Sequence, residues 1–509
     1  MASRRLRAFK RWMNSHGVQW STDALEFIDT PEEGISVKAL RDLKDGEVVS
    51  TIPKSACLTM KNTGACDIIQ SAGLSGCLGL SVAIMYEMSL GEESPWAAYL
   101  QLLPEKECLP LVWTVDEIDH FLRGTELHKI VKEDKFLMYA DWEESILPLL
   151  DTGDLDPKFF GLEQYFAARS LIASRSFQID DDHGSGMVPL ADLFNHKTGA
   201  EDVHFTCGSS DSESDDDDDD NSKPGDDDDD NSNPGDDDDD NSNPGDDDDD
   251  NSNPDKSYTA NYVDEEPANT LERTSDDPKV LEMIMVKNVK AGVEVFNTYG
   301  SAGNAALLHR YGFTEPDNPY DIVNIDLDLV LEWCTSMFSS RHSRARLSLW
   351  RKLDYSGCFS ESTEYFEISF NGDPQVELLI LLYIMLLPDD DYCKLDLAVS
   401  TATDHKEMIS MISSEKFNFR FDKGTEIDKS LLLTESVCNA LLRLAEKREN
   451  LYGLSSIEND IEALEKCSEK ERKLYHSLML RVSERRILEK FRTYASLGAK
   501  IVQYLHNII

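Results

Sequence analysis

The feature that most constrains this chain is a decapeptide repeat, (Asp)5-Asn-Ser-x-Pro-Gly, which runs in four near-copies from Asp215 to Pro254. It offers no apolar side chain to a core, and its like charges repel, so the composition predicts an extended, disordered loop. A folded repeat array would need an apolar face in every unit, and this repeat has none. Any globular structure must therefore be assembled from the two flanks. A fold can carry such a loop: lengthening it from ~8 to ~70 residues is about three doublings, which adds about 2 kcal/mol of closure entropy.

The repeat also accounts for much of the net charge of −48. Ser209–Asp255 holds 24 Asp/Glu and one Lys, leaving −25 on the other 462 residues. No basic face for nucleic acid is visible, and the charge points toward basic protein partners. No run approaches the ~18 apolar residues of a membrane-spanning helix. The longest, Val376 to Leu387, is interrupted by Glu377 and reads as a buried core helix. The basic Ser3-Arg4-Arg5-Leu6-Arg7 stretch is followed by Glu26, Asp29, Glu32 and Glu33 without a cleavable apolar segment, so cytosol or nucleus is expected. The ten cysteines are scattered with no C-x2-C pair, and neither a zinc site nor a disulfide framework is expected.

Residues 1–20 read as a basic helix anchored by Trp12 and Trp20. Ile35–Leu40 and Glu47–Ile52 alternate about Asp45-Gly46 and predict a β-hairpin. Val280–Val286 and Val293–Phe296, about Lys290-Ala291-Gly292, have the same pattern. Two such strand pairs, far apart in sequence, predict one small β-rich domain assembled from both ends of a long segment. The stretch from about 65 to 175 between them reads as helical, with a capping box at Thr114-Val115-Asp116-Glu117. Beyond about Asp326 the pattern is helical to the end, with capping boxes at Ser455–Glu458 and Ser468–Glu471. The first leads Ile461 and Leu464, the second Leu474, Leu478 and Val482.

Two segments carry candidate chemistry. One is Met187-Val188-Pro189-Leu190-Ala191-Asp192-Leu193-Phe194-Asn195-His196. The other is Phe296-Asn297-Thr298-Tyr299-Gly300, followed by Asn304, Leu307, Leu308 and Arg310-Tyr311-Gly312-Phe313. Taken alone, Asn195-His196 reads as a helix C-cap with a surface histidine, and Tyr299-Gly300 as a tyrosine at a strand end before a turn. Their order changes the reading. A glycine-bearing strand pair, the arginine of Ser174-Arg175-Ser176-Phe177, the Asp-x-x-Asn-His segment and a Tyr-Gly strand follow one another along the chain.

This arrangement resembles the SET-domain protein methyltransferases, in particular the group of the plant Rubisco large-subunit methyltransferase (LSMT) and its ribosomal-protein-modifying relatives. The resemblance covers nearly the whole chain except the Asp-rich insert. It implies an α+β protein: a β-rich SET domain over 1–325, with a helical insertion at about 65–175 and the disordered loop at 209–279. An all-α domain over 326–509, resembling the LSMT C-terminal domain, would hold the protein substrate. The implied activity is S-adenosylmethionine-dependent protein-lysine N-methylation of a non-histone or ribosomal protein. A monomer acting on a basic protein, without direct nucleic acid or membrane binding, is the expected form.

By the same resemblance, Gly34, Ile35 and Ser36 supply backbone contacts to the cofactor, although Ser36 stands where the family usually has a second glycine. Arg175 pairs with the cofactor carboxylate, a sensible use of a permanent cation. Asn195 and His196 bind the cofactor's adenine and amino-acid parts, Tyr299 is the catalytic tyrosine and also contacts the cofactor, and Tyr311 and Phe313 line the target channel. Asp192 reads as a structural support. Two alternatives stand at this point: a non-catalytic SET-fold module that binds basic proteins, and a methyltransferase whose acceptor is histidine.

A chain lacking Ser209–Asp255 is expected to keep its fold and melting temperature nearly unchanged. Loss of a cooperative thermal transition in that deletion would give the loop a structural role.

Overall fold

The repeat-free flanks carry strands whose side chains alternate between a buried and a partly exposed face, and these build the central sheet. The computed structural model describes residues 3–30, 34–153, 155–206, 279–352, 365–401 and 429–506. The loop expected at 209–279 lies outside them apart from Lys279, as does Glu33. The strands of the first flank are β1 (Gln19–Trp20), β2 (Leu25–Thr30), β3 (Gly34–Ala39), β4 (Val48–Pro53), β5 (Ser176–Asp180), β6 (Gly184–Met187) and β7 (Val203–Thr206). The second flank opens with β8 (Val280–Met285).

Four of these form an antiparallel sheet in the order β1-β4-β8-β7. β8 shows the period-two pattern clearly, with Leu281, Met283 and Met285 buried on one face. Thr206 of β7 stands opposite Glu282 of β8, so the chain leaves the sheet and returns to it at one place.

Neither predicted hairpin forms. β3 pairs with β2, placing Val37 opposite Phe27, while β4 pairs with β1 and with β8, placing Ile52 opposite Leu281. Val293–Val295 turns to β3 rather than β8: Ala39 N–H donates to the Val293 carbonyl at 2.9 Å, and Val295 N–H donates to the Val37 carbonyl at 2.8 Å. Alternation tells each strand which face is buried, and that requirement is met equally by a neighbour in sequence or by a distant strand.

Helices fill the stretch between β4 and β5. The Thr114 capping box is formed, with Glu117 N–H on the Thr114 hydroxyl at 3.2 Å and Thr114 N–H on the Glu117 carboxylate at 2.9 Å. The helix Arg4–Ser15 starts on a Ser3 cap and buries Leu6, Phe9, Trp12 and Met13 on one face. Its Trp12 indole donates to the Pro95 carbonyl at 2.6 Å.

In the second flank Val376–Leu386 is the expected core helix, with Leu378, Leu379, Leu381 and Leu382 fully buried. The cap of Ile457–Lys466 falls one residue later than predicted, on Ser456, whose hydroxyl accepts from Asn459 N–H at 3.4 Å. At the third box Glu471 does reach back toward Ser468 N–H, at 3.5 Å, ahead of a helix that begins at Arg472 and runs to His506. The segment expected to be all-helical also carries a strand. β9 (Val323–Asp326) pairs antiparallel with β10 (Tyr365–Ile368), whose Phe366 and Ile368 are buried while Tyr365 and Glu367 are not. The class is α+β. Among the described residues, no helix is long and apolar enough to cross a membrane.

The long C-terminal helix is joined to the rest by buried charge. Asp460 accepts from Arg481 at 3.0 Å and from Arg485 at 2.6 Å, and Arg485 also meets Glu449 at 2.6 Å. Arg481 continues to the Arg123 carbonyl at 2.8 Å, and Arg448 to that of Gly124 at 2.6 Å. Leu480 packs beside these bonds with Trp113, Ile118, Leu122, Leu127, Val131 and Leu308. A buried ion pair stripped of one partner leaves an uncompensated charge. Asp460→Ala is therefore expected to destabilise by about 3–5 kcal/mol, read as a lowered urea midpoint; an unchanged midpoint would refute a structural role for the cluster.

Candidate functional site

The Asp-x-x-Asn-His segment begins at a strained point. Leu190, fully buried, has φ +85° and ψ −46°, a conformation that L side chains rarely adopt. The chain then makes a short 3₁₀ turn over Ala191–Leu193 and emerges extended at Phe194, which aims Asn195 and His196 at the second segment. Asn297 N–H donates to the Asn195 carbonyl at 2.8 Å, and His196 runs parallel to Asn297. A few residues on, the N–H groups of Asp202 and Val203 both donate to the Phe296 carbonyl, at 2.9 and 3.2 Å. The segment thus lies along 296–297 on two sides.

This crossing gathers four aromatic rings. Tyr299 N–H donates to His196 Nδ1 at 2.9 Å, and the Tyr299 hydroxyl donates to the Phe194 carbonyl at 3.2 Å. The His196 and Tyr299 rings stack with centroids 4.9 Å apart, Tyr311 lies 4.3 Å from Tyr299, and Phe313 lies 6.0 Å from His196. Gly312 is what lets Tyr311 and Phe313 face the same group. It closes the helix Asn304–Tyr311 at φ +76°, and a Cβ there would meet the Cys108 carbonyl oxygen at 2.9 Å.

Arg175 is the last residue of the helix Leu162–Arg175, where a cation complements the carbonyl end of the dipole. Its Nε donates to Glu107 at 2.7 Å and its Nη1 to the Asp192 carbonyl at 3.2 Å. Asp192 is buried beneath it and accepts from the Tyr99 hydroxyl at 2.9 Å. Burial pushes the Asp192 carboxyl up to about 6, against the pull of Arg175. Burial likewise raises the Tyr299 hydroxyl above the usual tyrosine range, again with Arg175 opposing, so it remains a neutral phenol at pH 7.

Gly34, Ile35 and Ser36 stand at the start of β3 and connect to the aromatic group through the backbone of 293–295. Gly34 has φ +79°, and a Cβ built on it meets nothing within 4 Å. The Asn195 side chain turns toward the same edge, donating to Glu294 at 2.8 Å, and the Glu294 backbone forms an isolated antiparallel bridge with Lys38 of β3. The structure therefore brings Asn195, His196, Tyr299, Tyr311 and Phe313 into one group. Arg175 lies beside it through Asp192, and the β3 turn lies at its edge.

Several supporting residues carry no sequence signal. Glu107 lies in an irregular stretch 68 residues before its partner Arg175. Glu294, Thr198 and Glu315 act through single side-chain-to-backbone or side-chain-to-side-chain bonds that follow no period. Among the described residues, no group of three or more His, Cys, Asp or Glu side chains is arranged to hold a metal ion.

A family described as Rubisco LSMT substrate-binding matches residues 339–488. Among curated proteins, the chain is 25% identical over 340 residues to "Ribosomal lysine N-methyltransferase 3" of Saccharomyces cerevisiae, covering 59% of this chain and 60% of that one. It is 25% identical over 345 residues to "N-lysine methyltransferase setd6" of Salmo salar, covering 64% and 61%. The match to the protein of that name from Xenopus tropicalis is 23% over 512 residues, covering 94% and 93%. The matched region thus spans about three fifths of the first two relatives. Among solved structures, the SET domain of LSMT bound to lysine and AdoHcy superposes with TM-score 0.63 at 18% identity, covering 98% of this chain and 92% of that one. Rubisco LSMT bound to AdoMet gives 0.61 at 18% identity, covering 98% and 93%. At this identity the likeness carries the fold.

The His196 ring must be neutral at Nδ1 to accept the Tyr299 N–H. Burial lowers its pKa below the ordinary value of 6.5, with Glu315 opposing. A depressed histidine contributes stability that is complete above about 6.5 and is lost as the pH falls through the lower folded value. Thermal melts from pH 7 downward are expected to show a steeper loss in the wild type than in His196→Gln. Parallel acid profiles would show that the ring's protonation is not linked to folding.

Proposed function

We infer that this chain, which belongs with the SET-domain lysine methyltransferases of the LSMT-like group, transfers a methyl group from S-adenosylmethionine to the ε-amino group of a lysine in a protein substrate. The observation that carries this reading is the junction at which Asn195-His196 runs beside 297–299, with the Tyr299 hydroxyl on the Phe194 carbonyl, the Tyr311 ring against Tyr299 and the Phe313 ring beside Tyr311. The arrangement over 1–325 with a helical substrate-holding region over 326–509 is part of the same proposal, supported by the family match at 339–488.

The residues present fit the cofactor. Arg175 has five N–H donors, of which two are engaged above, and its side chain is a quarter exposed, so it can meet a carboxylate. The open space at Gly34 allows a ligand close to the backbone of Ile35 and Ser36. Asp192, whose side chain is closed to solvent, holds its charge beneath Arg175 and so keeps the guanidinium in place for a ligand carboxylate. Asn195 and His196 would complete the cradle. S-adenosylmethionine, when bound, supplies a methyl group on a sulfonium.

The chain's own residues prepare the nucleophile. Methyl transfer needs a neutral amine, and a lysine of pKa ~10.4 loses its proton at pH 7 at a cost of roughly 4–5 kcal/mol. The rings of Tyr299, Tyr311 and Phe313 desolvate an entering ammonium and lower that cost. Tyr299, held as a phenol, offers its oxygen lone pairs to the amine N–H and fixes the direction of attack. Alignment and fixed dipoles supply most of the rate gain, with no covalent intermediate on the protein. A basic segment is the favoured substrate because the chain is acidic even outside the repeat, and cytosol or nucleus is the proposed location.

Incubation with labelled S-adenosylmethionine and a cell extract, followed by identification of the modified residue, tests the reading. A labelled lysine is expected, a labelled histidine would change the acceptor, and no label would leave a binding module. Tyr299→Phe is expected to keep the fold and cofactor binding by calorimetry while kcat falls by about 10²-fold or more. Unchanged turnover would remove Tyr299 from the mechanism.

A further inference from the structure

Tyr299 is positioned by its backbone as well as its ring, and the group that holds that backbone is the His196 imidazole. A backbone N–H can only donate, so Nδ1 must be the accepting nitrogen, and in a neutral ring the proton then sits on Nε2. That Nε2–H faces the Thr198 hydroxyl at 3.2 Å. Thr198 is itself fixed, because its N–H donates to both carboxylate oxygens of Glu315, at 3.3 and 3.2 Å.

Glu315 is clamped in turn. The Asn304 side chain accepts from Glu315 N–H at 2.7 Å and donates to the Glu315 carbonyl at 2.8 Å, as a neighbouring strand would. Asn304 is fully buried, and its second amide hydrogen goes to Asp321 at 2.8 Å. Asp321 also accepts from Asn304 N–H at 2.5 Å and from the Ser483 hydroxyl of the long C-terminal helix. The series runs unbroken from that helix to Tyr299. His196, Asn304 and Asp321 are buried and Thr198 and Glu315 half-buried, and the buried members are held rigid because their polar atoms are met.

We propose that Thr198, Glu315 and Asn304 are positioning residues that lock His196 in its Nε2–H tautomer and thereby fix the backbone of Tyr299 for transfer. The proposal rests on the methyltransferase reading for its kinetic consequence and on the hydrogen-bond directions alone for the tautomer. Removing the Thr198 hydroxyl frees the ring to carry its proton on Nδ1, where it would point at the Tyr299 N–H and push that residue away. A displacement of this kind, well under the size of a side chain, is enough to cost ~10²-fold in a reaction that depends on alignment.

Among the described residues, Glu315 beyond Thr198 and Tyr299 stacked upon the ring are the titratable groups that face it. The phenol is uncharged over the working range, so Glu315 is the group whose charge the ring feels. Replacing it by glutamine keeps an acceptor for Thr198 N–H but removes an anion that favours the imidazolium.

The test uses the full chain with nitrogen-15 histidine, the His196 signal being assigned by its absence in His196→Gln. The wild-type ring is expected to be protonated on Nε2, and in Thr198→Val both tautomers appear while kcat falls about tenfold or more at an unchanged KM for the protein substrate. Thr198→Ser, which keeps the hydroxyl, restores both and excludes a misfolded loop as the cause. Glu315→Gln shifts the acid limb of kcat to lower pH. A wild-type ring protonated on Nδ1 overturns the proposal, and so does a Thr198→Val enzyme that loses kcat with its tautomer intact or keeps kcat with its tautomer mixed. Should the wild type transfer no methyl group, the ring signals still decide the tautomer lock, and only the catalytic reading falls.

Discussion

The Asn297 N–H on the Asn195 carbonyl and the Tyr299 N–H on the His196 ring join segments about a hundred residues apart, and the site exists because of them. Neither bond is strong alone; a typical intramolecular hydrogen bond contributes about 1 kcal/mol net. Their effect is geometric. They set the Tyr299 hydroxyl against the Phe194 carbonyl and its ring against Tyr311, so one backbone crossing fixes both ends of the same side chain. The strained Leu190 sits at the root of this arrangement, where packing of a fully buried side chain offsets an unfavourable backbone.

Much of the candidate site was legible as a grouping because its residues lie in two short runs. Asn195, His196, Tyr299, Tyr311 and Phe313 are close in sequence within each run, and the resemblance to the SET group supplied the fact that the runs meet. What supports them was not legible. Glu107, Glu294, Thr198 and Glu315 each make isolated bonds from loops, where no spacing rule distinguishes them from other polar residues. Strand existence was read correctly for β3, β4 and β8, but their partners were not, since period two specifies a buried face and is silent about which neighbour covers it. The β10 strand lies between Ser-, Gly- and Asn-bearing segments that read as loop inside a region otherwise helical, and its four residues, Tyr365–Ile368, are too few to register as a pattern.

The helical region is attached to the rest through charge as well as apolar contact. Arg448, Arg481 and Arg485 are all buried, and each finds carboxylates or carbonyls at helix and loop ends. Guanidinium groups with fixed, forked donors accept only a few relative placements of their partners, whereas an apolar surface tolerates sliding. The joint is accordingly specific in orientation. The polar series from Ser483 to His196 passes from the same helix, so the helix that orients the region also touches the residues behind Tyr299.

The order β1-β4-β8-β7 has a consequence for how the molecule comes into being. β4 and β8 are more than two hundred residues apart along the chain, and β7 is separated from β8 by the whole acidic stretch. Contacts between such distant partners form only after long loops close, so they are slow relative to helix formation. The Asn195–Asn297 crossing closes a loop that contains the same acidic stretch, so it carries a closure cost of the same kind. A ligand that binds across the crossing binds only molecules in which both distant segments have met, so it stabilises the assembled sheet by mass action.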